Sequence, residues 1–209
     1  MATRPAWAIK NGKVMREDFD FAWNGGFAIT QKQKNINALH VAIREAKGEE
    51  ALEVSSKSTV SLGKELSAFS LQLSGVYLEN IFQAAKKYEN GGPYMDLLDI
   101  SPKDAKRDER HKNSGRLLAF VRDGETWPLE PKTAFYDFIY VNAVVEKYAY
   151  DLELSEYQWF TDIEFNPKKS INCQARALAI YKLLKQEDYF EVLNNMEAWI
   201  SFHKEKIRG

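Results

Sequence analysis

A single cysteine, Cys173, leaves no partner for an intrachain disulfide and no thiolate set for a structural zinc. Only three histidines are present, His40, His111 and His203, far apart and without ligand spacing, so no metal is expected. No apolar run approaches the roughly 20 residues of a membrane span. The N-terminal MATRPAWAIKNG also has no apolar targeting core, and the expectation is a soluble, cytoplasmic protein without membrane partners. The phosphate-binding pattern G-x-x-x-x-G-K-[ST], the dinucleotide pattern G-x-G-x-x-G after a strand and the nucleophile elbow G-x-S-x-G are all missing. Nor is there an excess of either charge. The net charge of −1 removes a global basic field for nucleic acid and leaves only a local patch open.

What is present is a core. Of 209 residues, 44% are hydrophobic and 13% aromatic, enough for one sizeable domain and too apolar for disorder. With no repeat, linker or low-complexity run, residues 1–209 read as a single domain. Asn11-Gly12 lies between two short runs in residues 6–21. Both central residues of a type I′ turn need φ > 0, so this dipeptide predicts an N-terminal β-hairpin. Ile36, Leu39, His40 and Ile43 at helical spacing predict a helix over 30–46, stopped by Gly48. Strands are expected at 52–62, 117–121 and 157–165, and a strand or turn at 66–73. Further helices are expected at 101–116, 133–148, 173–184 (capped by Ser170-Ile171-Asn172) and 189–207. The class is therefore α+β, helix-dominated, with short antiparallel strands and the N-terminal hairpin.

The chemistry concentrates in residues 78–94, LENIFQAAKKYENGGPY. At about 100° per residue, Leu78, Ile81, Phe82, Ala84, Ala85 and Tyr88 share one arc, which predicts an amphipathic helix through Tyr88. Glu79, Gln83 and Lys86 share the opposite arc. A carboxylate, an amide and an amine in a row can form a catalytic face, or an ordinary solvated face with local side-chain pairs. Two other features suit an anion. The helix start near Asn172 follows Lys168 and Lys169, and the Gly25-Gly26 loop lets backbone approach a ligand closely. Residues 101–116 hold six basic against three acidic side chains, a local excess of three. Such a segment is either a mixed-charge solvated helix or a surface for a polyanion. The acidic pair Asp162/Glu164 on strand spacing makes no metal site by itself.

The order of motifs resembles the NADAR family: LSAF at 66–69, E-x-x-F-Q-x-x-K at 79–86, SPKDAKR at 101–107 and a Trp before a long apolar helix. WNGGF at 23–27, GGPY-x-DL at 91–97 and FTDIEFNPKKSINCQA at 160–175 are similar to the NADAR antitoxins paired with DarT-type DNA ADP-ribosyltransferase toxins. The likeness runs from about Arg4 to Leu184.

The resemblance implies an ADP-ribosyl glycohydrolase that removes ADP-ribose from guanine bases in DNA, with no cofactor or metal and with ADP-ribose as ligand and product. The cognate toxin is a further partner. The family glutamate and lysine match Glu79 and Lys86, with Asp162 the third catalytic candidate in a segment that lacks the broader family's Trp-Gly. Gln83 matches the helix-face neighbour, and Ser67 and Phe69 match the S-x-F segment.

For such a ligand, Lys168, Lys169 and Asn172 suit the pyrophosphate. Asp96, Asp162 or Gln174 suit the ribose hydroxyls. Phe27, Phe69 and Tyr94, with Trp23 and Trp127, offer aromatic platforms, and Gly26 offers close backbone approach. A carboxylate can stabilise the positive charge that develops at an anomeric carbon, and an amine can act there as acid or as Schiff-base nucleophile. Two other classes stay open: a binding module that holds ADP-ribose without turnover, and an antitoxin that blocks its toxin by contact alone.

Overall fold

The computed structural model describes residues 1–208. Asn11 and Gly12 both take positive φ, 53° and 66°, and join β1 (Ala2–Lys10) to β2 (Lys13–Phe21) in antiparallel register, Trp7 opposite Arg16. The hairpin thus forms at the expected turn, with strands longer than the expected ones. Alternation along β1 sends Ala6 and Ala8 to one face and Trp7 to the other. On the first face lies α1 (Ile29–Lys47), which packs Ile36, Leu39 and Ile43 onto Phe19, Phe21 and Trp159. Gly48 ends it in the left-handed conformation at φ 69°, as a C-cap glycine does.

β3 (Ala51–Glu53) and β9 (Trp159–Thr161) complete a five-stranded sheet in the order β10-β2-β1-β9-β3, where β10 is Ile207–Arg208. The sheet is mixed rather than antiparallel throughout, because β3 runs parallel to β9 and β10 parallel to β2. The second face carries the main core, built with α6 (Ala134–Tyr148), α7 (Gln174–Glu187) and α8 (Met196–Lys206). Ile139, Tyr140, Val141, Ala143 and Val144 make α6 buried on most of its circumference, as its apolar sequence requires.

Several expected elements are shorter. The strand expected over 52–62 stops at Glu53, and α2 (Ser61–Glu65) follows. Of the strand or turn expected at 66–73, the structure has both, a turn and then β4 (Gln72–Leu73), which pairs with β5 (Val76–Tyr77). Only Trp159–Thr161 of the segment 157–165 is strand. The helix expected over 101–116 is two: α4 (Pro102–Arg107), capped by Ser101 accepting from the Asp104 N–H at 3.2 Å, and α5 (Arg110–Asn113). In the tail, a 3-10 turn (Phe190–Asn194) precedes α8. Among the described residues, no helix is long and apolar enough to cross a membrane.

The largest departure falls on the segment that carries the chemistry. Its helix, α3 (Leu78–Ala84), ends short of Lys86, and the chain turns into β6 (Lys86–Tyr88). Lys86 lies opposite Phe120 of β7 (Leu117–Arg122), which in turn pairs with β8 (Glu125–Trp127). These cross-strand bonds replace the last turn of helix. Gly92 closes the return at φ 73°, and a Cβ there would collide with the Lys86 carbonyl oxygen.

Candidate functional site

α3, β6, the Ala68-Phe69 turn, α6 and the segment 162–174 enclose a cavity of about 620 Å³, within the range of ligand pockets. Every residue of α3 is buried, including its polar ones. The Gln83 side chain joins Glu79 to Lys86: its Nε2 donates to Glu79 Oε1 at 2.7 Å, and its Oε1 accepts from Lys86 Nζ at 2.6 Å. The three are in a row as their spacing suggested, although Lys86 reaches it from a strand. The row is not a solvated face; all three line the cavity.

Burial pulls the Lys86 amine down to about 8 against the opposing pull of the Glu79 carboxylate, and Lys106 lowers it further. Lys106 Nζ is 3.8 Å from Glu79 Oε1 and 5.2 Å from the centre of the Phe69 ring. Phe69 is 41% exposed at the cavity wall, with the Lys106 amine over its ring.

Asp162 lies just beyond β9 and is buried. Its Oδ1 accepts from the Glu164 N–H at 3.0 Å and the Phe165 N–H at 3.2 Å, which fixes the carboxyl. Burial, and then the charge of Glu53, push its pKa up to about 8, against the stabilising contacts from Gln174 and the two N–H groups. Burial thus favours the neutral acid form of the Asp162 carboxyl.

Glu53, buried on β3, is also pushed up by burial; it accepts from Ser55 Oγ at 2.6 Å, Thr161 Oγ1 at 2.7 Å and the Ile163 N–H at 2.9 Å. Two adjacent buried carboxyls do not both ionise readily. Behind them, His40 Nε2 sits 2.8 Å from Thr161 Oγ1. Burial lowers His40 to about 4, so the neutral ring donates to a hydroxyl whose own hydrogen goes to Glu53. The Tyr136 phenol on α6 is pushed well above its usual value by burial, then by Glu79 and also by Asp162. It is near enough to feel both acidic groups.

The expected residues separate into two groups. Glu79, Gln83, Lys86, Phe69, Asp162, Asn172 and Gln174 all line the cavity. Gln174 Oε1 accepts from the Ala68 N–H at 2.7 Å and ties the 66–69 turn to α7. Cys173, not residues 170–172, is the N-cap of α7, with no side-chain cap, so the first N–H groups of the helix have no side-chain acceptor there.

Ser67 is buried behind the wall, its Oγ 3.2 Å from Ser70 Oγ, where it shapes the turn that presents Phe69. Lys169 lines the cavity; Lys168 is outside the lining. Tyr94 hydrogen-bonds Ser114 and has Arg110 over its ring, while Asp96 is held by Arg110 at 2.6 Å, all away from the cavity. Gly26 and the fully exposed Phe27 lie on the loop before α1, and Trp127 is core. Tyr136, Lys106, Lys132 and Glu130 also line the cavity, and sequence reasoning missed them. A tyrosine in an apolar helix reads as packing; the one available signal was Lys106 inside the SPKDAKR motif.

A mixed α+β chain with a ligand-sized cavity, a buried carboxylate–amide–amine row on one wall and a buried carboxyl on another has the form of a small-ligand site. The model of the DarT1-associated NADAR antitoxin family matches residues 2–208, and the chain belongs to that family. No curated protein matches it significantly.

Proposed function

We propose that this antitoxin is an ADP-ribosyl glycohydrolase that releases ADP-ribose from guanine bases in DNA and so reverses the modification made by its toxin. The observation that carries the proposal is the cavity itself: Glu79, Gln83 and Lys86 hydrogen-bonded in a row, facing the same space as the buried Asp162 carboxyl. Cleavage of an N-glycosidic bond passes through a state that is positive at the anomeric carbon, and the Glu79 carboxylate is suited to stabilise it. Lys86, with its amine lowered to about 8, has a useful neutral fraction near neutral pH and adds to the anomeric carbon as the bond to guanine breaks. Asp162 supplies the proton taken up as guanine leaves. Ring opening gives a Schiff base, and water then returns the free amine and ADP-ribose.

The remaining lining suits the rest of the ligand. The uncapped start of α7, with Asn172 and Lys169, favours a pyrophosphate. Phe69 favours stacking with a purine. Gln174 favours a ribose hydroxyl. In this proposal the chain acts as one domain, without a resident cofactor or metal, in the cytoplasm where the toxin's DNA product lies.

The test is mass-spectrometric detection of free ADP-ribose after incubation with an oligonucleotide modified by the toxin. Wild type releases it, and Glu79→Gln loses at least about a hundredfold in rate, the scale of one such catalytic contribution. No release by wild type, or equal release by the variant, rejects the proposal.

A further inference from the structure

Tyr136 and Tyr140 stand one turn apart on α6, both buried, and use their hydroxyls differently. Tyr140 donates to the Leu66 carbonyl oxygen at 2.6 Å. The Tyr136 hydroxyl meets no hydrogen-bond partner among the described residues, and yet it is not sealed. The side-chain atoms that are both unpartnered and inaccessible belong to Arg4, Trp7, Asn80, Arg122 and Tyr181. Tyr136 keeps 7% of its surface exposed, its free hydroxyl shares in that surface, and the cavity whose wall it forms is the one that holds Glu79 and Asp162.

Packing leaves the ring little freedom. It meets Phe82 of α3 edge-on, at 89° with centroids 5.3 Å apart, and Tyr140 lies 6.4 Å away on its own helix. Phe82 is fixed in turn by Phe120 at 5.3 Å and carries the Lys86 amine 5.0 Å from the centre of its ring. The phenol is thus anchored on the same aromatic side chain as the amine of the row. A largely buried hydroxyl without a partner is costly unless a ligand completes it. A ring already held in place loses little freedom when that happens.

The surroundings decide which ligand atom fits. Burial, and then the charge of Glu79 with a smaller effect of Asp162, push the phenol well above its usual value, so it stays a neutral O–H. Carboxyl groups on both sides disfavour a phosphate oxygen there. A neutral O–H both donates and accepts, and its complement is a group that does the same. In an ADP-ribosyl ligand the sugar hydroxyls meet that description. With Glu79 facing the anomeric carbon, the hydroxyls nearest Tyr136 belong to the ribose joined to guanine, not to the adenosine ribose.

We propose that Tyr136 is a substrate-contacting residue whose phenol hydrogen-bonds a hydroxyl of the guanine-linked ribose, beside the carbon that Glu79 faces. The inference rests on the ADP-ribose reading of the cavity and not on turnover.

The test is calorimetric titration of wild type and Tyr136→Phe with ADP-ribose and with ADP, which lacks that ribose. The substitution keeps the ring against Phe82 and removes one oxygen. The quantity compared is the ratio of the two affinities within each protein, which a partial loss of folded protein leaves unchanged. Tyr136→Phe is expected to weaken ADP-ribose binding about fivefold, the scale of one neutral hydrogen bond, and to leave ADP binding as it was. The same ratio in both proteins overturns the proposal, and so does failure of wild type to bind ADP-ribose. Release of ADP-ribose from modified DNA is scored separately. A changed ratio in a protein that releases nothing rejects the hydrolase reading and supports the ribose contact, whereas normal release with an unchanged ratio does the reverse.

Discussion

Replacing Asp162 by asparagine should stabilise the protein at alkaline pH. The side chain keeps its shape, and the amide oxygen still accepts from the Glu164 and Phe165 N–H groups. What disappears is a proton that the fold holds and the unfolded chain releases. Below about pH 4, Asp162 is protonated in both states and contributes nothing to pH dependence. Between about 4 and 8 the unfolded chain ionises while the buried carboxyl, raised to about 8, does not. In this window stability falls with rising pH by about 1.4 kcal/mol per unit for each such proton. The cost accumulates as pH rises toward the raised value and levels off above it.

The substituted amide carries no such proton, and Glu53, the buried neighbour, is retained in both proteins. Urea unfolding of wild type and Asp162→Asn, followed by tryptophan fluorescence at four pH values from about 5 to about 8, measures the difference directly. The variant should gain on wild type by about 1.4 kcal/mol for every unit of pH. Stabilities that run parallel across that range would refute the assignment of a protonated Asp162.

The same carboxyl and Lys86 set the pH profile of the proposed reaction. Lys86 must be neutral and Asp162 protonated, both with pKa values of about 8, so kcat should follow a narrow bell centred near pH 8; a flat profile, or one centred near about 5, contradicts it. Reduction with cyanoborohydride during turnover should trap an ADP-ribose adduct on Lys86, located by peptide mass mapping, and Lys86→Met should show none. Gly92→Ala forces a left-handed backbone on alanine and drives its Cβ into the Lys86 carbonyl. It should cost at least about 2 kcal/mol in urea unfolding and lower turnover by moving Lys86, whereas Gly124→Ala, equally left-handed but in open space, should affect stability alone.

Local signals carried far into this fold, and long-range ones did not. Asn11-Gly12 announced the hairpin because the turn chemistry is complete within two residues. α1 was legible from three core positions and a stop glycine, and α6 from its apolar sequence. The helix over 78–88 was read too long for a physical reason. Ala84, Ala85, Lys86 and Lys87 all favour helix, and the apolar arc continues to Tyr88, but pairing with β7 some thirty residues downstream wins. The row of Glu79, Gln83 and Lys86 survives this because Lys86 still reaches Gln83 from the strand.

Glu53 was invisible: a glutamate within a short apolar strand gives no hint that it abuts an aspartate distant in sequence. Tyr136 and Lys132 likewise depend on how α6, α7 and the sheet come together. Tyr94 and Asp96 sit in a conspicuous motif, yet the contacts of that motif are with Ser114 and Arg110, beside the site and not in it.

Growth of cells expressing the toxin, rescued by wild-type protein or by a Glu79→Gln, Lys86→Met double variant at equal folded abundance, tests the central claim most directly. The account predicts rescue by wild type with loss of guanine-linked ADP-ribose from the DNA, and neither with the double variant. Full rescue by the double variant, with the adduct still on the DNA, would contradict it and assign the antitoxin effect to contact with the toxin.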